Sequence, residues 1–128
     1  MFEQLEVFRM SSAMAAHAGQ RQAVISQNVA NADTPGYIAK DIPNFKTAYQ
    51  AEPTSSMQRA TRYLHLNGST SGFMHLESFE VEAESAPNGN AVSLETEILK
   101  SVDAKRQHDR ALAIYKSALS VLRTAISK

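Results

Sequence analysis

The sequence predicts a mainly α fold: long N- and C-terminal helices packing as a coiled-coil-like pair, with an irregular, partly mobile middle segment that has room for a short strand or hairpin. Two observations carry this. All four prolines and four of the five glycines lie between Asn31 and Asn90. On either side of that stretch, apolar positions recur three, four or seven residues apart, the spacing of a single helix face. At 128 residues the chain is one domain, with an N-terminal helix over 1–31, a loop-rich middle over 32–90 and a C-terminal helix over 91–128.

Between Phe2 and Ala30, Ala, Gln, Met and Arg dominate, all good helix formers. An apolar stripe runs through Val7, Met10, Met14, Ala18, Ile25 and Ala32, and Arg21 and Asn28 fall on the same face. That face is small and partly polar. It suits a close helix contact better than a thick core, and it makes Arg21 a candidate to pair with an acid on another helix. Met10 and Met14 read as adaptable packing.

The middle holds Thr54-Ser55-Ser56 and Ser69-Thr70-Ser71, which read as turns and loop. Phe79, Val81 and Ala83 alternate with Glu80, Glu82 and Glu84, the pattern of a short half-buried strand whose acidic edge needs a partner. So long a connection without secondary structure is unusual inside a compact domain. It implies a segment that is mobile in the free subunit or that orders on a neighbour.

In the C-terminal zone Ser93 can cap a helix. Glu95 and Glu97 stand in its first turn and Arg123 and Lys128 at its far end, each where the helix dipole favours its charge. One heptad seam runs through Lys105, His108, Leu112, Tyr115, Leu119, Leu122 and Ile126. A second runs beside it through Ala111, Ile114, Ala118, Val121 and Ala125. Two adjacent seams are wider than one partner helix covers, so this helix is expected to touch more than one other. Lys116, Ser117, Ser120, Arg123 and Thr124 remain for the polar side, with Arg123 read as solvated charge.

Composition excludes several classes. Thirteen basic and thirteen acidic residues give no basic excess for a nucleic acid and no polybasic membrane anchor. Without cysteine there are no disulfides and no thiolate metal sites. The four histidines, His17, His65, His75 and His108, include no pair at the spacing of helical zinc ligands, and no HExxH, GxGxxG, P-loop or GxSxG is present. No catalytic residue, cofactor, metal or small-molecule substrate is therefore expected. The N-terminus has acidic residues where a secretory signal is basic, which argues against a cleavable signal peptide.

The most specific segment joins the first helix to the middle. Asn31 can take the left-handed conformation that ends a helix, and Asn28 can offer its amide to the last free carbonyls. Thr34 precedes Pro35 and is pushed towards an extended shape. Pro35-Gly36 suits the centre of a type II turn, and Tyr37 stands just past it, able to pack back on the helix.

The string Asn28-Val29-Ala30-Asn31-Ala32-Asp33-Thr34-Pro35-Gly36-Tyr37 resembles the N-terminal signature of the bacterial flagellar rod, hook and hook-associated proteins, in particular the proximal rod (FlgB) family of the basal body. Ile38-Ala39-Lys40-Asp41-Ile42, Asn88-Gly89-Asn90-Ala91-Val92-Ser93-Leu94-Glu95 and the closing Tyr115–Ile126 segment are similar to stretches of that family. The resemblance covers both end zones, and nothing carries over between about Tyr49 and Pro87.

The resemblance implies a structural subunit that pairs its terminal helices and stacks into the periplasmic rod. It implies export by the flagellar type III apparatus without a cleaved signal. The implied partners are copies of itself, other rod proteins, the adaptor joining rod to membrane ring, and the export apparatus. Motif residues Asn28, Asn31, Thr34, Pro35, Gly36 and Tyr37 would set the turn. Met14, Ala18, Arg21, Ile25, Leu112, Ile114, Tyr115, Ala118, Leu119, Val121, Leu122 and Ile126 would form the assembly faces. The rival expectation is a generic coiled-coil adaptor of the cytoplasm, which explains the C-terminal seams but not the junction.

Overall fold

The computed structural model describes residues 2–51 and 76–127. Two long helices, α1 (Phe2–Ala30) and α3 (Leu94–Ile126), form an antiparallel hairpin. Asn28 near the end of α1 meets Glu97 near the start of α3, and the ring of Phe8 meets that of Tyr115 edge-on at 5.2 Å. Their seam is made of small side chains. Ser11, Ala18 and Ile25 of α1 and Ala104 and Ala111 of α3 are all buried. Side chains this short let the two backbones approach closely, and Ser11 turns its hydroxyl back onto the Phe8 carbonyl.

Ser93 caps α3 as its residue type requires. Its backbone is extended (φ −97°, ψ 110°) and its hydroxyl accepts from the Thr96 N–H. At the far end the Ser127 N–H bonds the Arg123 carbonyl.

Neither expected seam faces α1 as a whole: the second contributes Ala111 to the contact and the first contributes Tyr115, which meets Phe8. Glu97, Ala104 and Ala111, seven residues apart, are buried, while Leu112, Tyr115, Val121 and Ile126 are exposed. Ile114, Ala118, Leu119 and Leu122 are half-buried. The reason is register. Phe8 lies against Tyr115 and only Phe2 to Val7 precede it in α1, under two turns, so the last part of α3 runs towards and past the end of its partner. Ile126 is accordingly 82% exposed.

The described part of the middle segment is irregular apart from two short strands and one short helix. After the junction, β1 (Lys40–Asp41) pairs antiparallel with β2 (Phe79–Glu80), Lys40 opposite Glu80 and Asp41 opposite Phe79. The expected strand through Ala83 is therefore two residues long. Phe79 is exposed rather than half-buried, and the partner of the acidic edge lies within the chain. Pro43 has no N–H to extend the ladder beyond Asp41, and at the other end the Val81 N–H bonds the Ala39 carbonyl. The unexpected short helix α2 (Phe45–Ala51) follows. Asn44 caps it, accepting from the Thr47 N–H, and its Ala48 is buried. The Thr54 and Ser69 clusters, His65 and His75 lie outside the described residues. No described helix is long and apolar enough to cross a membrane.

Candidate functional site

The site is the junction between α1, the β ribbon and the start of α3. Its first task is to end α1. The Asn31 N–H is shared between the Gln27 and Asn28 carbonyls, and the Ala32 N–H bonds Val29, so the last turn tightens. Asn31 is not left-handed, since no described residue other than glycine has a positive φ. Its side chain removes the need: Nδ2 donates to the Gln27 carbonyl at 2.8 Å, and Oδ1 accepts from the Thr34 hydroxyl.

The turn itself is of type II. The Tyr37 N–H bonds the Thr34 carbonyl across Pro35-Gly36, and Gly36 has φ +73°. A second glycine turn leans on it. Gly89 has φ +80°, and the Gly36 N–H donates to the Asn88 carbonyl. A Cβ at Gly89 would meet the Gly36 Cα at 3.4 Å. Asn90, buried beside them, donates its amide to the Asn31 and Thr34 carbonyls and accepts the Val92 N–H. The end of α1 is thus capped by the segment that leads into α3.

Asn28 does something other than cap its own helix. It is fully buried, and Nδ2 donates to the Lys40 carbonyl (2.7 Å) and to Glu97 Oε2 (2.9 Å). Its Oδ1 accepts the Lys40 N–H and the Tyr37 hydroxyl. Every hydrogen-bonding position of the amide is filled.

Glu97, placed in the first turn for the sake of the dipole, is instead 1% exposed and paired with Lys100 at 2.9 Å. Lys100 reaches on to Asp41 at 3.6 Å, and Arg21 grips Asp41 through Nε and Nη2, both at 3.1 Å. The partner of Arg21 is therefore on β1 of its own chain, not on another helix. Two cations and two carboxylates balance. Burial pushes the Asp41 carboxyl up, but the Arg21 and Ile42 N–H donors and the nearby cations outweigh it and leave it below the usual carboxylate range. The same bond raises the pKa of Arg21 against its partial burial.

A second tie lies a few turns down α1. His17 is buried, with Nε2 2.7 Å from the Pro43 carbonyl and Nδ1 3.1 Å from Gln107. A carbonyl only accepts, so Nε2 carries the proton and Nδ1 accepts from the Gln107 amide. Phe45 stacks edge-on against the ring. His17 thereby ties α2 to both long helices. His108 approaches its neighbour Asp109 only to 4.0 Å, nearer than adjacent helix positions were expected to come. Among the described residues no group of His, Asp or Glu gathers to hold a metal, and no buried side-chain N or O lacks a partner.

The expected face residues separate into two sets. Ala18 and Ile25 are buried inside the subunit, Arg21 belongs to the polar node, and Met14 is half-buried. The open surface belongs to α3. Besides Leu112, Tyr115, Val121 and Ile126 it includes Leu94, Ile98, Leu99 and Val102, which are 44–68% exposed. Sequence reading missed these four, although the four-residue spacing of Leu94, Ile98 and Val102 was there to be used. What the arrangement can do is hold a helix hairpin at a fixed angle and offer apolar surface to another protein.

Known proteins match this chain. A family model for flagella basal body rod proteins covers residues 10–37, which end at the junction tyrosine. The flagellar basal body rod protein FlgB of Agrobacterium fabrum is 32% identical over 120 residues, 88% of this chain and 87% of the relative. The FlgB of Buchnera aphidicola subsp. Acyrthosiphon pisum is 30% identical over 106 residues, 78% of each.

Proposed function

The chain belongs to the FlgB family of flagellar basal body rod proteins, whose role is structural, and we propose that it forms the proximal part of the rod by helix packing and passes torque from motor to hook. The supporting observation is the open surface of α3. This helix has 33 residues, yet Glu97, Ala104 and Ala111 are its only buried side chains. Large apolar side chains stand exposed along the rest, a pattern that marks protein contact surface. Copies of the chain, other rod proteins and the adaptor at the membrane ring are the partners in this reading. The location is the periplasmic rod, reached through the flagellar type III apparatus without a cleaved signal.

In this reading the junction supplies rigidity. A shaft under torque needs subunits whose helices do not swing, and the Asn28–Glu97 and Arg21–Asp41 contacts fix α1, the ribbon and α3 to one another. Deleting the gene in its host and imaging basal bodies tests the proposal. Membrane rings without rods, restored by wild type but not by a Pro35→Ala, Gly36→Val variant, are expected. Normal motile flagella in the deletion strain would contradict it and return the cytoplasmic adaptor to first place.

A further inference from the structure

The chain has two Asn-Gly pairs, Asn67-Gly68 and Asn88-Gly89. The second stands in the glycine turn that leans on Gly36. Such a pair has a chemistry of its own. The glycine backbone nitrogen, unshielded by any Cβ, attacks the asparagine Cγ once it has lost its proton. The N–Cγ bond forms, the bond from Cγ to the side-chain nitrogen breaks, and that nitrogen leaves as ammonia with a proton from solvent. The product is a five-membered succinimide, which water opens at one of its two carbonyls. Opening at Cγ gives aspartate, and opening at the former main-chain carbonyl gives isoaspartate. One water enters, one ammonia leaves, and nothing is oxidised or reduced.

Asn88 and Gly89 are both exposed, so water reaches them. The turn nevertheless restrains both partners in the reaction. The Gly89 N–H donates to the Ala86 carbonyl at 2.8 Å, and the Ala86 N–H donates to the Asn90 carbonyl at 2.7 Å. A nitrogen whose proton is held in this way is a poor nucleophile. The Asn88 side chain is held too, its Oδ1 accepting the Asn90 N–H at 3.1 Å. A bulkier neighbour would slow the reaction, but the φ of +80° at residue 89 calls for glycine. The turn thus creates the reactive pair and also guards it.

We infer that Asn88 is a site of spontaneous hydrolytic deamidation, guarded while the junction is closed, and that isoaspartate formed there keeps the junction from closing. The second part follows from the product's backbone. In isoaspartate the chain runs through Cγ and is one carbon longer. The former main-chain carbonyl, which accepts the Gly36 N–H in the closed junction, becomes a free carboxylate beside the chain. The extra carbon also shifts Gly89 against Gly36 and moves Asn90, whose amide holds the Asn31 and Thr34 carbonyls. Aspartate instead keeps the backbone and an Oδ1 acceptor for the Asn90 N–H, so it closes the junction as asparagine does. Refolding does not restore the lost ammonia, so a chain that stays open accumulates copies unable to close. The inference goes beyond the rod reading and does not depend on it.

The test uses an Asn67→Gln chain, which leaves Asn88-Gly89 as the one Asn-Gly pair. The protein is held at mildly alkaline pH, folded in one sample and in urea in the other. Tandem mass spectrometry follows conversion at residue 88. Conversion is expected to be at least about tenfold slower in the folded protein, the factor that two held hydrogen bonds supply. Equal rates in the two samples overturn the guard.

The urea-aged protein is then refolded, its isoaspartate form is separated by chromatography, and it is melted beside the unaged chain and an Asn88→Asp variant. The isoaspartate form is expected to melt lower and to lose amide-exchange protection over residues 31–37, while Asn88→Asp keeps both. An isoaspartate form that matches the unaged chain overturns the second part. So does an Asn88→Asp variant that loses as much, because the cause is then the charge and not the lengthened backbone.

Discussion

Asn28 shows how much one side chain can carry. Its amide makes four contacts with three parts of the chain. Asn28→Leu leaves the Lys40 N–H and carbonyl and Glu97 Oε2 buried without their Asn28 bonds, and each such unsatisfied group costs about 1–3 kcal/mol. A urea melt should show that loss. Gly36→Ala and Gly89→Ala each place a Cβ on a left-handed backbone, which costs roughly 1–2 kcal/mol.

Asp41 gives a pH signature. Its folded pKa lies below the unfolded value, so its contribution is fully present above the ordinary carboxylate range. It is lost as pH falls from about 4 towards the folded value. Asp41→Asn should flatten that part of the stability profile while lowering stability at neutral pH. The turn at Thr34–Tyr37 was legible because proline and glycine dictate its geometry locally. The partners of Asn28 and Arg21 were not. Lys40, Asp41 and Glu97 lie 12, 20 and 69 residues away in sequence, and nothing local marks them.

At the scale of elements, the helices were legible and their orientation was not. Missing Pro and Gly and a helical apolar period place α1 and α3, but both seams of α3 satisfy that period. The face that meets α1 is set by α1 itself, whose buried Ser11 and Ala18 leave room for Ala104 and Ala111. Enlarging either alanine should overpack the seam. Ala104→Leu is expected to cost about 1–3 kcal/mol in a thermal melt. α2 escaped notice because seven residues between prolines look like loop. It is held by His17 and by the Asn44 cap, a contact and a turn that composition does not reveal. Asn90→Ala should loosen the end of α1, because the Asn31 and Thr34 carbonyls each lose one of their two donors, at about 0.5–1.5 kcal/mol per bond. Amide exchange over residues 31–37 would report it.

For the whole molecule, the same small-residue seam that makes the hairpin thin also leaves most of α3 outside it. A subunit built this way holds its shape through the polar junction and keeps its large apolar side chains for others. Substitutions should therefore separate folding from assembly. Changes at Asn28, Asp41 or Ala104 act on the free subunit, whereas changes at Leu99, 68% exposed, should leave its melt unchanged within about 0.5 kcal/mol. The most direct measurement is electron microscopy of basal bodies from a deletion strain complemented with Leu99→Glu. The account predicts rings without rods while the purified variant melts with wild type, and normal rods from that strain would contradict it.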